Sequence, residues 1–190
     1  MNREVVLASN NKNKLREFRA ILAPYGIKVL SQAEVGVDLE VEETGTSYIE
    51  NAMLKASALF NIVHRPVISD DSGIEVDCLG GRPGLFSARY APESMRCDKL
   101  LAEMGNTANR GASYITAVCY IDTDIQIMEQ FVGRGHITRQ KQGTQGFAYD
   151  SIFYYDKCGK TFAEMSFKEK STCSVRKCAI DLVMNRLKAY

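Results

Sequence analysis

Val5-Val6-Leu7-Ala8-Ser9-Asn10-Asn11-Lys12-Asn13-Lys14-Leu15 carries the pattern that decides the fold class. Four apolar residues without alternation read as a strand buried on both faces. The polar stretch Ser9–Asn13 reads as a loop. Leu15, Phe18, Ile21 and Leu22 then recur at helical spacing, so a helix follows directly. Strand, short loop and helix in that order open an α/β protein.

The rest of the chain extends this reading. Lys28-Val29-Leu30 suits a second strand, and residues 32–45 are acidic and irregular. Ser47 and Glu50 fit a capping box ahead of Ile49, Ala52, Met53, Ala56, Leu59, Phe60 and Val63, one apolar stripe ended by Pro66. Val67–Asp70 reads as the next strand, and Ile74–Cys78 either continues it or turns back as a hairpin. Gly80-Gly81-Arg82-Pro83-Gly84 opposes both regular structures and reads as a loop. A helix is expected over Met95–Met104, a strand over 113–121, a turn at Asp122-Thr123-Asp124 and a strand over Ile125–Val132. A short strand follows at Ile152–Tyr155. A last helix starts at Ser174, with Val175, Cys178, Ala179, Leu182, Val183 and Leu187 on one face. No repeat, low-complexity tract or linker divides residues 1–190. Helices and strands in mixed order predict a single α/β domain with a mixed sheet.

Composition narrows the function. The 190 residues are enough to bury about 70% of the unfolded surface without staples. Net charge is +1, from 24 basic and 23 acidic residues, which speaks against coating a nucleic-acid polymer or an anionic membrane. A small anion needs only a local basic cluster. The six cysteines form no C-x-x-C pair and there are two histidines, so a zinc site is not expected. The apolar run at Val5–Ala8 is too short for a signal peptide or a membrane span, so the cysteines read as reduced thiols of a cytoplasmic protein.

Four constellations carry chemistry. Ser9-Asn10-Asn11-Lys12-Asn13-Lys14 places a helix N-terminus and two lysines where a phosphate would fit, or is a polar turn with Asn caps. It lacks the G-x-x-x-x-G-K-[ST] pattern. Asp70-Asp71-Ser72-Gly73 ends an apolar strand. Its two carboxylates suit magnesium or general-base work, or they hold turn N–H groups. Neighbours on a strand face opposite sides, so one aspartate at most faces a given site. Glu42-Glu43-Thr44-Gly45 is a solvated acidic loop unless it lies near Asp71. Gly146-Phe147-Ala148-Tyr149-Asp150, with Lys170 and Arg176, offers a ring to stack and donors for a carbonyl, or is an aromatic strand beside a charged helix.

Taken in order, these pieces resemble the inosine-triphosphate pyrophosphatase family, whose members remove deaminated purine nucleotides from the precursor pool. The likeness runs from Val5 to about Ala179. It is carried by Glu42-Glu43-Thr44-Gly45, Ile49-Glu50-Asn51-Ala52, Asp70-Asp71-Ser72-Gly73 and, most specifically, Leu79-Gly80-Gly81-Arg82-Pro83-Gly84-Leu85-Phe86-Ser87-Ala88-Arg89-Tyr90-Ala91. The resemblance implies an elongated mixed β-sheet flanked by helices, in two lobes with a nucleotide cleft between them, and a homodimer. It implies magnesium-dependent hydrolysis of ITP, dITP and XTP to the monophosphate and pyrophosphate. Ser9, Asn10, Asn11, Lys12, Asn13 and Lys14 would bind the triphosphate. Asp71 would be general base and metal ligand, with Glu42 the second acidic metal contact. Ser72 would touch substrate, and Phe147, Ala148, Tyr149, Asp150, Lys170, Val175 and Arg176 would hold the base. Four positions depart from the family pattern: Ser9 for Thr, Asn10 for Gly, Ala148 for Gly, and Val175 for His. A related pyrophosphatase for another modified base and a non-catalytic nucleotide-binding protein are the competing readings.

Overall fold

A computed structural model of the protein describes residues 4–189. The element order is β1 (Glu4–Leu7), α1 (Lys12–Leu22), β2 (Lys28–Leu30), α2 (Tyr48–Val63), β3 (Val67–Val76), β4 (Pro83–Gly84), α3 (Arg96–Met104), β5 (Gly111–Ile121), β6 (Gln126–Ile137), β7 (Phe153–Tyr155), β8 (Lys160–Thr161), α4 (Phe167–Cys173) and α5 (Val175–Leu187). One open sheet runs β2-β1-β3-β5-β6-β7-β8, with β4 added to β3. It is mixed. β1 pairs in parallel with β2 and β3, whereas β3–β4, β6–β7 and β7–β8 are antiparallel. The expected mixed-sheet α/β class is the observed one.

The described residues form two compact units. One comprises residues up to Asp71, Thr116–Gln130 and those from Arg176 onward; the other comprises Ser72–Ile115 and Phe131–Val175. In the first unit Val5, Val6 and Leu7 are fully buried, as a strand apolar on both faces requires. Helix α1 buries Phe18, Ile21 and Leu22, and α2 buries Ala52, Ala56 and Leu59. Ser47 caps α2 by accepting from Glu50 N at 3.2 Å. The Glu50 carboxylate takes the N–H and hydroxyl of Thr46 at 2.6 and 2.8 Å. His64, in the left-handed conformation at φ 46°, ends the helix two residues before Pro66. At the β5–β6 turn, Asp122 Oδ1 accepts from Asp124 N and Ile125 N, both at 2.9 Å.

The second unit has its core around Ile74, Val76, Leu100, Ile137, Tyr149, Phe153, Tyr155 and Phe162. Strand β3 settles the alternative left open by the sequence: it runs straight on to Val76. The chain turns back only later, where Ile74 faces Gly84 and Glu75 faces Pro83. Ser87 locks that return, its Oγ accepting from Ile74 N at 2.9 Å and donating to Gly84 O at 2.6 Å.

The structure departs from the expected elements: Pro83–Gly84, read as loop, forms strand β4. Strand β6 reaches Ile137, five residues past Val132, and α4 was not foreseen. Its capping box is formed: Ser166 Oγ accepts from Glu169 N at 3.2 Å, and Glu169 accepts from Ser166 N at 2.7 Å. The buried face of α5 also differs, with Ile180 and Met184 buried and Leu182 half-buried. Truncating Leu59, fully buried on α2, leaves a cavity in the first unit. Leu59→Ala is expected to cost about 3 kcal/mol, read from the midpoint of urea unfolding at unchanged slope.

Candidate active site

In the first unit the loop after β1 delivers its residues to the start of α1. Asn11 caps that helix, its Oδ1 accepting from Asn13 N at 2.9 Å and Lys14 N at 3.1 Å. Two of the N–H groups expected to greet a phosphate are therefore held by the chain itself. Asn11 N in turn donates to Ser9 Oγ at 3.2 Å. Asn10 accepts from Gln32 Nε2 at 3.1 Å and donates to Leu39 O at 3.4 Å, tying this loop to residues 32–39. The side chains of Lys12 and Asn13 are exposed and Lys14 is half-buried.

Strand β3 presents its two aspartates to different partners. Asp70 is fully buried. Its Oδ1 lies 3.0 Å from Lys14 Nζ, and its Oδ2 accepts from Arg176 Nε and Nη2 at 3.1 and 3.0 Å. Arg176 Nη1 donates to Glu17, itself buried on α1. Burial alone would raise the Asp70 carboxyl. The nearby charges of Lys14, Arg176 and Lys55 overcome it and hold the group well below the usual carboxylate range. Burial pulls the Lys14 ammonium below its ordinary value, with Asp70 opposing and Lys55 and Arg176 adding to the effect.

Asp71 has another environment. Its Oδ2 accepts from Asn51 Nδ2 at 3.1 Å, and Asn51 Oδ1 accepts from Gly45 N at 2.8 Å. The second bond fixes the first: with its oxygen committed to Gly45, the amide must turn its nitrogen to Asp71. A side chain at 45 would destroy this contact, since a Cβ there would stand 2.6 Å from Asn51 Oδ1. Lys55 Nζ lies 2.5 Å from Glu43 Oε1 and 3.8 Å from Asp71 Oδ1. The Asp71 carboxyl is pushed up, chiefly by burial and further by the charge of Glu43, against the pull of Lys55, Lys14 and Asn51.

The second unit holds the aromatic group. Lys170 Nζ donates to Asp150 Oδ2 at 2.5 Å and lies 4.7 Å from the centre of the Phe147 ring. Phe147 N donates to the same carboxylate oxygen at 2.8 Å. Gly146 has φ +78°, and a Cβ there would stand 2.1 Å from Asp150 Oδ2, so glycine is required. Ala148 also adopts a left-handed backbone, at φ 53°. Phe147 and Ala148 are half-buried, whereas Asp150 and Lys170 are buried.

The remaining candidate residues differ in exposure and partners. Glu42 is exposed, whereas Glu43 pairs with Lys55 and its charge acts on Asp71. Val175, 1% exposed, packs in the core of the second unit and closes over Gly133, where a Cβ would stand 2.4 Å from its Cγ2. Tyr149 is 2% exposed and spends its hydroxyl on Ser87 O at 2.9 Å, so its ring is structural. The guanidinium of Arg176 is tied to Asp70 and Glu17. Ser72 is half-buried on β3. Lys55, Asn51 and Glu17 went unread in the sequence. Lys55 sits four residues past Asn51 on one helix face, and that spacing was the available signal.

The Ham1 family matches residues 5–186. The chain belongs to the Ham1 family. A dITP/XTP pyrophosphatase of Clostridium tetani is 41% identical over 194 residues, covering 98% of this chain and 96% of that protein. The structure of the Staphylococcus aureus Ham1 protein is 38% identical with a TM-score of 0.84, covering 98% of each chain. A HAM1 protein from Coxiella burnetii is 32% identical with a TM-score of 0.86 over the full length of both.

In this Ham1 chain the charge balance around β3 suits a cation. Lys14, Lys55 and Arg176 face Glu17, Glu43, Asp70 and Asp71, and two of those carboxylates share the ammonium of Lys55. Among the described residues there is no cluster of three or more His, Cys, Asp or Glu fit for a metal. Magnesium asks for less, usually one or two carboxylates with phosphate oxygens and water.

The buried ion group makes a stability prediction. A carboxyl depressed by folding adds stability above its unfolded value, near 4, and loses it as pH falls through its folded value. Asp70→Asn is therefore expected to cost about 3 kcal/mol at pH 7. The gap to the parent should narrow as pH falls below about 4, checked by urea unfolding at several pH values. A gap that does not vary with pH would remove Asp70 as its source.

Proposed function

We propose that the protein hydrolyses non-standard purine nucleoside triphosphates, ITP, dITP and XTP, to the monophosphate and pyrophosphate. The observation that carries this reading is Asp71, a buried carboxylate oriented by Asn51, with its proton affinity raised and cationic side chains around it. A raised carboxyl suits a general base, because it takes a proton from water more readily than an ordinary aspartate. The names of the relatives, dITP/XTP pyrophosphatase, support the same substrate class.

Asp71 accepts a proton from water as the oxygen attacks the α-phosphorus; the bond to the bridging oxygen breaks, and pyrophosphate leaves. Lys14 and Lys12 stand at the helix N-terminus, where their charge offsets that of the triphosphate. Asp71 and a glutamate of the acidic loop, Glu42 or its neighbour Glu43, are the residues that would hold magnesium. When bound, the ion supplies neutralisation of charge on the phosphate oxygens. On the second unit, Phe147 offers a ring to the base and Lys170 a donor to its 6-oxygen. Adenine carries an amino group there and would leave the donor without an acceptor. Arg176 is a poorer probe of base choice than the sequence suggested, since its removal would also open the ion group around Asp70. All six cysteines are free thiols, which fits a reducing, cytoplasmic location. Among the described residues no helix is long and apolar enough to cross a membrane. The homodimer implied by the family likeness belongs to this proposal and is checked by light scattering.

The test is release of pyrophosphate from inosine, xanthosine, guanosine, adenosine and thymidine triphosphates, with magnesium and with chelator. Pyrophosphate from the first two, only with metal, is expected. Release of single phosphate, or no release, refutes the reading. Asp71→Asn should retain substrate binding and lose turnover by about a hundredfold or more. The acid limb of kcat/KM should vanish in that variant. Lys170→Met should narrow the preference for inosine over adenosine triphosphate by roughly tenfold or more; an unchanged ratio would discharge Lys170 from base choice.

A further inference from the structure

The turn that carries Phe147 is held by a thiol from another element of the second unit. Cys97, on α3, is 5% exposed, and its Sγ lies 3.1 Å from Ala148 O and 3.5 Å from Ser151 Oγ. Backbone N–H groups take the other carbonyls of the turn. Phe147 O accepts from Asp150 N at 3.1 Å, Tyr149 O from Ile152 N and Phe153 N at 3.0 Å, and Asp150 O from Ala163 N at 3.0 Å. Ala148 O accepts from a side chain instead. We propose that Cys97 is a positioning residue for the nucleobase: by donating to Ala148 O, it holds the left-handed turn that presents Phe147 and the Asp150–Lys170 pair. The base as ligand rests on the pyrophosphatase reading, but the hold on the turn is a property of the protein alone.

Backbone conformation gives the reason. Ala148 stands at φ 53°, where the Cβ of an L residue is crowded, so this conformation persists only if its surroundings enforce it. The thiol is suited to that task. Burial pushes its pKa up, against the pull of Ser151 and Lys141, so it keeps the proton that it donates. With that proton on Ala148 O, the sulfur is left to accept from Ser151 Oγ. A thiol is a weak donor, but a buried carbonyl without a partner is costly, and removing the donor exposes that cost. Release of Ala148 O would free the peptide between Ala148 and Tyr149 to rotate. Phe147 N donates to Asp150 Oδ2 at 2.8 Å and Lys170 Nζ donates to the same oxygen, so ring and ammonium are tied to one turn and shift with it. Cys97 acts on both through Ala148.

The experiment uses the full chain and the variants Cys97→Ala, Cys97→Ser and Ala148→Gly. Exchange of backbone amides with deuterium is read by mass spectrometry, without nucleotide, over residues 144–152 and over α3. In Cys97→Ala, exchange over 144–152 should quicken by roughly tenfold or more, with α3 within about twofold of the parent. Cys97→Ser keeps a donor and should bring 144–152 back to within about threefold of the parent. Glycine adopts the left-handed conformation without crowding, so in an Ala148→Gly background the effect of Cys97→Ala should shrink by about threefold or more. With inosine triphosphate, Cys97→Ala should raise KM by about fivefold or more and leave kcat within about twofold, because the turn serves the base and not the phosphorus. Exchange over 144–152 that stays at the parent rate in Cys97→Ala, a rise shared equally by α3, a rise that Cys97→Ser does not reverse, or effects that simply add in the double variant would each overturn the proposal, as would an unchanged KM. The pyrophosphatase reading fails separately: a parent that releases no pyrophosphate loses the reaction, and exchange alone then decides the role of Cys97.

Discussion

Adjacent residues of an extended strand point to opposite sides, and β3 applies that rule to two aspartates. Asp70 meets Lys14 and Arg176; Asp71 meets Asn51 and Lys55. The surroundings then drive the same functional group in opposite directions. Asp70, bracketed by cations, remains ionised and serves as a fixed anion. Asp71, buried with fewer compensating charges and another carboxylate nearby, becomes the more basic of the two. A shift of the strand by one residue would exchange these roles, so the register of β3 against β1 governs the chemistry.

The charges around β3 are costly to bury. Replacing such a group with apolar residues often stabilises a protein, so stability alone gives a weak account of it. Its arrangement is better explained by placement. Arg176 joins α5 to β3 and α1 by binding Asp70 and Glu17, and Lys14 then has a single carboxylate oxygen of Asp70 to approach, beside its main-chain oxygen. Short-range polar bonds do the same for the rest of the first unit: Asn51 aligns Asp71, and Asn10 anchors its loop through Gln32 and Leu39. In the second unit, Asp150 gathers Phe147 and Lys170 onto one carboxylate oxygen.

Much of this was legible in the sequence where local rules decide. The buried strand Val5–Leu7, the α2 stripe and the Asp122 turn all follow from periodicity and turn chemistry. The alternation of Asp70 and Asp71 followed from strand geometry. Which of Glu42 and Glu43 pairs with Lys55 did not, because the adjacent glutamates have the same local preferences and only a lysine on α2 separates them. The partners of Arg176 were illegible for a related reason. A guanidinium on a helix face looks available until the fold brings two carboxylates, from α1 and β3, against it. Val175 read as a ligand position by likeness to a family, but an isopropyl group has no polar use there and the core takes it. Helix α4 was missed although its Ser166–Glu169 signature was present, since seven residues are too few for a periodic stripe to show.

Asn11 closes the first turn of α1 with its own side chain. The helix end therefore exists in finished form and does not wait for a phosphate to complete it. At the proposed triphosphate site an arriving polyphosphate would meet lysines on a scaffold already ordered, so little of its binding energy would be consumed in arranging backbone. Such preorganisation favours affinity, which suits a protein whose targets are scarce among a great excess of ordinary nucleotides.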